Sequence, residues 1–229
     1  MNQILAMIVT ILIYLFMVSY ASLIAQEVAT EKGSRIMEIL VSSVSPKIQF
    51  FGKITGMFFL IILQVLVTAV CGVIGIKYIS HSVQFLKELD LSQIQPRILL
   101  ILGLYFVLGI ALYTILAAGL GALVSRSDQV SQAVSPLTMI GLVAYGASFV
   151  AMNSNTLLVK IGSFIPFLSQ SIMPVRYAVG NATFGDAVIS LLILAVTTII
   201  VTQFTAHLYA SHVLDYSERK LWDRILHRS

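Results

Sequence analysis

Ile-Leu-Ala-Met-Ile-Val-Thr-Ile-Leu-Ile-Tyr-Leu-Phe-Met-Val-Ser-Tyr-Ala-Ser-Leu-Ile-Ala, from Ile4 to Ala25, is a run of 22 residues without a charge. A helix crossing a bilayer core of about 30 Å needs about 20 mostly apolar residues, so this stretch reads as a membrane span. Four more uncharged stretches follow: Ile54 to Ile76, Ile98 to Ser125, Gln129 to Val159, and Ala187 to Leu214, the last interrupted only by His207 and His212. The expected spans are 4–25, 54–76, 98–124, 134–152 and 187–208, within one transmembrane domain over residues 1–229. The fold class that follows is all-α and polytopic. Composition points the same way, with 58% of the 229 residues hydrophobic and 10% charged, against roughly a quarter charged in ordinary soluble domains. That balance excludes a soluble globular chain and a disordered one, and one Cys allows no internal disulfide.

The patch from Ile161 to Val175 is 15 residues long, lies between Lys160 and Arg176, and contains Pro166 and Pro174. It is too short and too broken to span. A re-entrant external hairpin of two half-helices over 161–180 fits it, because irregular backbone at membrane depth needs protein or a wet cavity to satisfy it. Five crossings put the termini on opposite sides, and Lys and Arg decide which is which. One side holds nine of them (Lys32, Arg35, Lys47, Lys53, Arg126, Arg219, Lys220, Arg224, Arg228) and the other holds five (Lys77, Lys87, Arg97, Lys160, Arg176). The N-terminus is therefore expected outside and the C-terminus in the cytoplasm of a cell whose plasma membrane, bacterial by expectation, holds the chain. The net charge of +4 suits anionic lipid headgroups rather than nucleic acid. Met1 lies three residues before the first span with no signal peptide ahead of it, so a longer design with one more span and an external domain upstream is expected.

The spans carry no Asp, Glu, Lys or Arg at their centres, where an ion-coupled carrier or intramembrane enzyme would place one. Gln64, Gln203 and His207 are the strongly polar side chains in or near them, read either as a pathway lining or as helix-to-helix hydrogen bonding. No catalytic residues and no metal ligands emerge, since there is no clustered Cys/His set and no nucleophile motif. A Gly-x-x-x-x-Gly-Lys-Ser/Thr phosphate loop is also missing, so energy for uphill transport must come from another polypeptide. Small residues at Gly52 and Gly56, Gly72 and Gly75, and from Ala117 to Ala122 read as helix packing, within the chain or across a dimer.

The connection Gln26 to Lys53 is the most informative segment. Gly33 is expected to turn the chain and Ser34 to cap a new helix. Ile36, Leu40 and Val44 then fall on one face with Met37 and Val41 beside them, Arg35, Glu38 and Ser42 face away, and Pro46 stops the helix. The result is a short amphipathic helix over 34–45. It can lie among headgroups or press into a groove on a soluble partner; Glu27, Glu31 and Glu38 are unfavourable beside an anionic leaflet and favour a partner with basic residues.

Glu31-Lys32-Gly33-Ser34-Arg35, then Glu38-Ile39-Leu40 and Ser45-Pro46, between one span and the next, resembles the signature of the type-2 family of ATP-binding-cassette (ABC) transporter permeases. The broken patch 161–175 is similar to the external helices before that family's last span, and His207-Leu208-Tyr209-Ala210 running into a basic tail is similar to its ending. Among subfamilies the sodium-efflux permeases are the most similar. The resemblance implies that residues 34–45 are a coupling helix on a separate ATPase subunit. It implies that Glu31, Lys32, Gly33, Ser34, Arg35, Glu38 and Pro46 form the coupling site, and that ATP and magnesium sit on the partner. A homodimer or heterodimer of permease subunits that exports a solute is the expected assembly. The rivals are a non-transporting membrane anchor or scaffold, and an ion-coupled carrier.

Other features are weighed on their own. In the tail 209–229, Leu221, Trp222, Ile225 and Leu226 share a face, read as a leaflet anchor or an ATPase contact. Asn181-Ala182-Thr183 matches a glycosylation triplet of the kind that arises by chance. The loop from Lys77 to Arg97 reads as a solvated connection. Pro166, Pro174 and Arg176, with Gln64 and Gln203, are the candidates for a pathway or outer mouth; for the prolines and Arg176 the alternative is a turn in the chain and a snorkelling side chain.

Overall fold

The computed structural model describes residues 2–79, 96–124 and 126–214. His81, Lys87, Glu88 and Asp90 of the expected loop, and the basic tail with Trp222, lie outside the described residues.

The described residues form helices joined by short turns: α1 (Asn2–Gly33), α2 (Ile36–Ser43), α3 (Pro46–Ile79), α4 (Pro96–Leu123), α5 (Val130–Asn153), α6 (Leu157–Gly162), α7 (Pro166–Ala178) and α8 (Phe184–His212). A single 3-10 turn, Ser127–Gln129, precedes α5. Five of them, α1, α3, α4, α5 and α8, are long and apolar enough to cross a membrane, and the chain is a multi-pass membrane protein. α1, α3, α4 and α8 each begin or end beyond the uncharged stretch that marks them, while α5 lies inside its own. α1 is the clearest case: 32 residues at 1.5 Å each give about 48 Å, well past a hydrocarbon core. It continues because Glu27, Ala29, Glu31 and Lys32 are good helix formers and no Gly interrupts before Gly33.

α4 lies at the centre. Of its most apolar stretch 61% is buried by the rest of the chain, against 18% for α3. α1 and α8 lie along α4, α5 packs on α1, and α7 fills the space among α1, α4, α5 and α8, while α3 rests mainly on α8. Two glycines flagged in the Ala117–Ala122 run make the close contacts. A Cβ on Gly119 would fall 2.6 Å from Thr205 Cγ2 of α8, and one on Gly121 would fall 2.7 Å from the Ala25 carbonyl oxygen of α1. Gly52, Gly56, Gly72 and Gly75 behave differently: among the described residues, a Cβ at each meets nothing within 4 Å. The outward surfaces of α3, α5 and α8 carry Phe59, Leu63, Val143 and Ile199, all exposed, as suits helices whose surroundings are hydrocarbon.

At one end of the bundle two short helices, α6 and α7, replace a span. The first begins at Leu157, earlier than the expected Ile161, and the break falls at 163–165. Pro166 opens α7 at its first position, where its missing N–H would be unused in any case. The reading of Pro174 as a second break is corrected, because α7 runs through it to Ala178; the helix gives up one N–H bond there within a fully buried turn, Met173 and Val175 both being 0% exposed. α8 starts on a capping box absent from the sequence reading. Thr183 Oγ1 accepts from the Asp186 amide at 3.1 Å, and the Asp186 carboxylate accepts from the Thr183 amide at 2.8 Å, a Thr-x-x-Asp pattern legible in principle.

Candidate functional site

The α1–α2 corner gathers the charges that the sequence singled out. Along the second half of α1 the buried positions are Met17, Ala21, Ile24, Ala25, Val28, Ala29 and Lys32, an unbroken stripe at helical spacing. Lys32 thus occupies a core position, and its side chain is 0% exposed. Its Nζ donates to the Ala122 carbonyl at 2.6 Å and to the His212 carbonyl at 2.8 Å. Those carbonyls belong to the last turns of α4 and α8, where helices leave acceptors without intrahelical partners. The expectation that Lys32 faces a partner protein is corrected on this geometry.

Glu27 and Glu31 point the other way. Lys53 Nζ, from α3, donates to Glu27 Oε1 at 2.7 Å and to Glu31 Oε1 at 2.6 Å. Both carboxylates are one turn apart on α1, so a single cation from α3 relieves their mutual repulsion. Glu31 Oε2 is buried without a hydrogen-bond partner among the described residues. Thr30 Oγ1 and Ser127 Oγ, 3.2 Å apart, tie the same turn of α1 to the 3-10 turn before α5.

The turn itself departs from expectation in three ways. Gly33 is the last residue of α1 and takes no left-handed conformation; the positive φ falls on Arg35, at 58°. Such a backbone costs a residue with a Cβ about 1 kcal/mol. Ser34 is not the cap of α2, because its Oγ turns back to the Thr30 carbonyl at 2.8 Å; Arg35 holds the cap position without a side-chain bond. Finally, the face that packs on the bundle is Met37, 0% exposed, with Val41 beside it, while Ile36, Leu40 and Val44 stand exposed along with Ile39 at 71%. Tyr209 Oη of α8 donates to Met37 Sδ at 3.9 Å, and its ring lies 5.5 Å from that of Phe50 in α3. Pro46 opens α3, three residues after α2 has ended at Ser43.

The candidates for a pathway are not brought together. Gln64 and Gln203 lie on exposed faces of α3 and α8, with His207 also exposed. Arg176 lies at the opposite end from Gln203, beside the start of α8; the 17 residues from Asp186 to Gln203 correspond to about 25 Å of helix. Arg176 is 4% exposed and donates to Ser163 Oγ, to Asn155 Oδ1 at 3.4 Å and to the Asn181 carbonyl at 2.9 Å. It neither snorkels nor opens on a mouth, but pins the α5–α6, α6–α7 and α7–α8 connections. Burial pulls its pKa below the ordinary value and the Asp186 carboxylate works against that; a guanidinium keeps its proton throughout.

Comparison with known proteins follows the same corner and spans. The profile described as ABC-2 family transporter protein matches residues 1–206. The chain is 32% identical over 217 residues to the uncharacterized protein YhaP of Bacillus subtilis, covering 93% of this chain and 52% of that protein. It is 27% identical over 227 residues to an uncharacterized protein of Methanocaldococcus jannaschii, covering 99% of this chain and 54% of that one. The chain spans about half the length of the curated relatives it matches. No solved structure matches.

Proposed function

We propose, because the chain belongs to the ABC-2 family of transporter proteins, that its five spans form the membrane part of an exporter driven by a separate ATPase, which docks on α2. The observation that carries this reading is the division of α2 into two faces. Met37 and Val41 fasten it to the bundle, while Ile36, Ile39 and Leu40 project outward with Glu38 beside them. An apolar stripe flanked by carboxylate and left uncovered by the described residues is the shape of a helix that enters a partner's groove. In this reading α2 lies in the cytoplasm, α6 and α7 lie at the outer surface, and two membrane subunits pair with two ATPase subunits that hold ATP and magnesium. The chain itself binds neither. ATP binding closes the ATPase pair and displaces α2, and solute leaves the cell; an uncharged pathway suits sodium and larger solutes alike.

Co-purification tests the reading. Ile39→Glu and Glu38→Lys, made in the full-length permease, are expected to lose the ATPase while inserting and melting as the wild type does. Unchanged recovery of the ATPase from both variants removes α2 as the docking surface. A permease that retains no ATPase and moves solute on a proton or sodium gradient is a carrier instead.

A further inference from the structure

Two attachments flank the α1–α2 turn, and both end on the last turns of α8. Before the turn, Lys32 holds the His212 carbonyl at 2.8 Å and the Ala122 carbonyl at 2.6 Å. After it, buried Met37 receives the hydroxyl of Tyr209. Lys32 is itself in the last turn of α1, so the C-terminal ends of α4 and α8 meet on one ammonium carried by the end of α1. Each such end carries unpaired carbonyls and a partial negative charge, and a lysine offers three N–H groups together with the opposite charge. Between the two attachments lie Ser34 and Arg35, the latter in a left-handed conformation. A short strained turn of that kind is where a push on α2 would be absorbed if nothing held its two sides together.

We propose that Lys32 is a positioning residue that makes α2 and the adjoining ends of α4 and α8 one rigid body, so that displacement of α2 moves those two helices instead of flexing the turn. The role is internal, and Lys32 touches no ATPase. This inference rests on the docking of an ATPase at α2 proposed above.

The experiment uses the full-length permease bound to its ATPase in lipid, with Cys71→Ser and spin labels at Ser42→Cys of α2 and Ser211→Cys of α8, both exposed positions. The distance between labels is measured without nucleotide and after trapping with ATP and vanadate. With Lys32 present it is expected to stay within about 2 Å between the two states, the scale of small helix shifts. In Lys32→Met it is expected to change on trapping by about 5 Å or more, a helical turn, while Lys32→Arg returns it toward the wild type. A role in stability alone would lower the melting point of Lys32→Met and leave the labels locked, which overturns the inference. A change of about 5 Å with Lys32 present overturns it as well, and that measurement needs no variant at position 32 to fold. If the ATPase binds and the labels part, the lock alone is refuted; if wild-type permease carries no ATPase, the docking reading falls and takes the lock with it.

Discussion

Gly121→Ala perturbs the contact that brings Lys32 to its carbonyls. The added methyl would sit 2.7 Å from the Ala25 carbonyl oxygen and 2.9 Å from Ala25 Cα. Both are backbone atoms, so no side chain can turn aside. Non-bonded carbon atoms settle about 3.5–4.0 Å apart, so α1 must retreat by about 1 Å. A retreat along that contact stretches the bond from Lys32 to Ala122, now 2.6 Å, to about 3.5 Å, outside hydrogen-bonding range. Over-packing costs about 1–3 kcal/mol and loss of a charge-assisted bond about 1.5–3 kcal/mol. The two relieve each other in part, and alanine returns about 1 kcal/mol as the better helix former, leaving a net loss of about 2–3 kcal/mol. At about 2–4 °C per kcal/mol for a chain of this size, the melting point falls by about 5–10 °C. Thermal unfolding of the purified permease in detergent, read by fluorescence-detected size exclusion, measures it. Gly52→Ala is the control, since its methyl meets nothing within 4 Å, and it is expected to match or exceed the wild type. A wild-type melt for Gly121→Ala, or equal losses in both variants, refutes the reasoning.

Three further outcomes are expected. Lys53→Met leaves Glu27 and Glu31 facing each other without their shared cation and should cost about 1–2 kcal/mol; a double-mutant cycle with Glu31→Gln should recover about 1 kcal/mol as coupling, and zero coupling would mean the pair is screened away. Arg176→Met removes the tie among Ser163, Asn155 and the Asn181 carbonyl, of which Ser163 is buried, and should cost about 2 kcal/mol, with faster protease cleavage between residues 153 and 166; wild-type protease resistance would sink this account. Cysteines placed at Thr156 and Ser42, both exposed, should label from outside the cell and only after permeabilisation, respectively; the reverse pattern inverts the orientation.

The spans were legible because a bilayer imposes a length and a polarity that 22 or more uncharged residues advertise directly. α2 was legible as a short helix between Gly33 and Pro46, though Gly33 closes α1 and Pro46 opens α3 instead of bounding α2. Its free face was not, since Met37 and Val41 are no less apolar than Ile36 and Leu40, and only the position of Tyr209, 172 residues away, decides which pair is covered. Lys32 misled for a related reason. A cation after a span reads as solvated, and the sign that it was buried lay in its register with Val28 and Ala29 rather than in its chemistry. Gly121 and Gly52 are the same residue type in similar company, yet one meets the backbone of α1 and the other meets nothing among the described residues. Pro174 shows the converse, a breaker overruled because buried packing on both sides holds its turn in place.

The Lys32 cage also sets an order of events during synthesis. Its two acceptors lie 90 and 180 residues further along the chain, and at about 5–20 residues per second the second arrives about 10–35 s after the lysine itself. Until then the Lys32 ammonium lacks its His212 acceptor, and the α1–α2 corner stays loose. Only emergence of α8 from the ribosome closes it, so a product terminated before α8 would leave the corner open to the cell's quality-control proteases, and one that includes α8 would not.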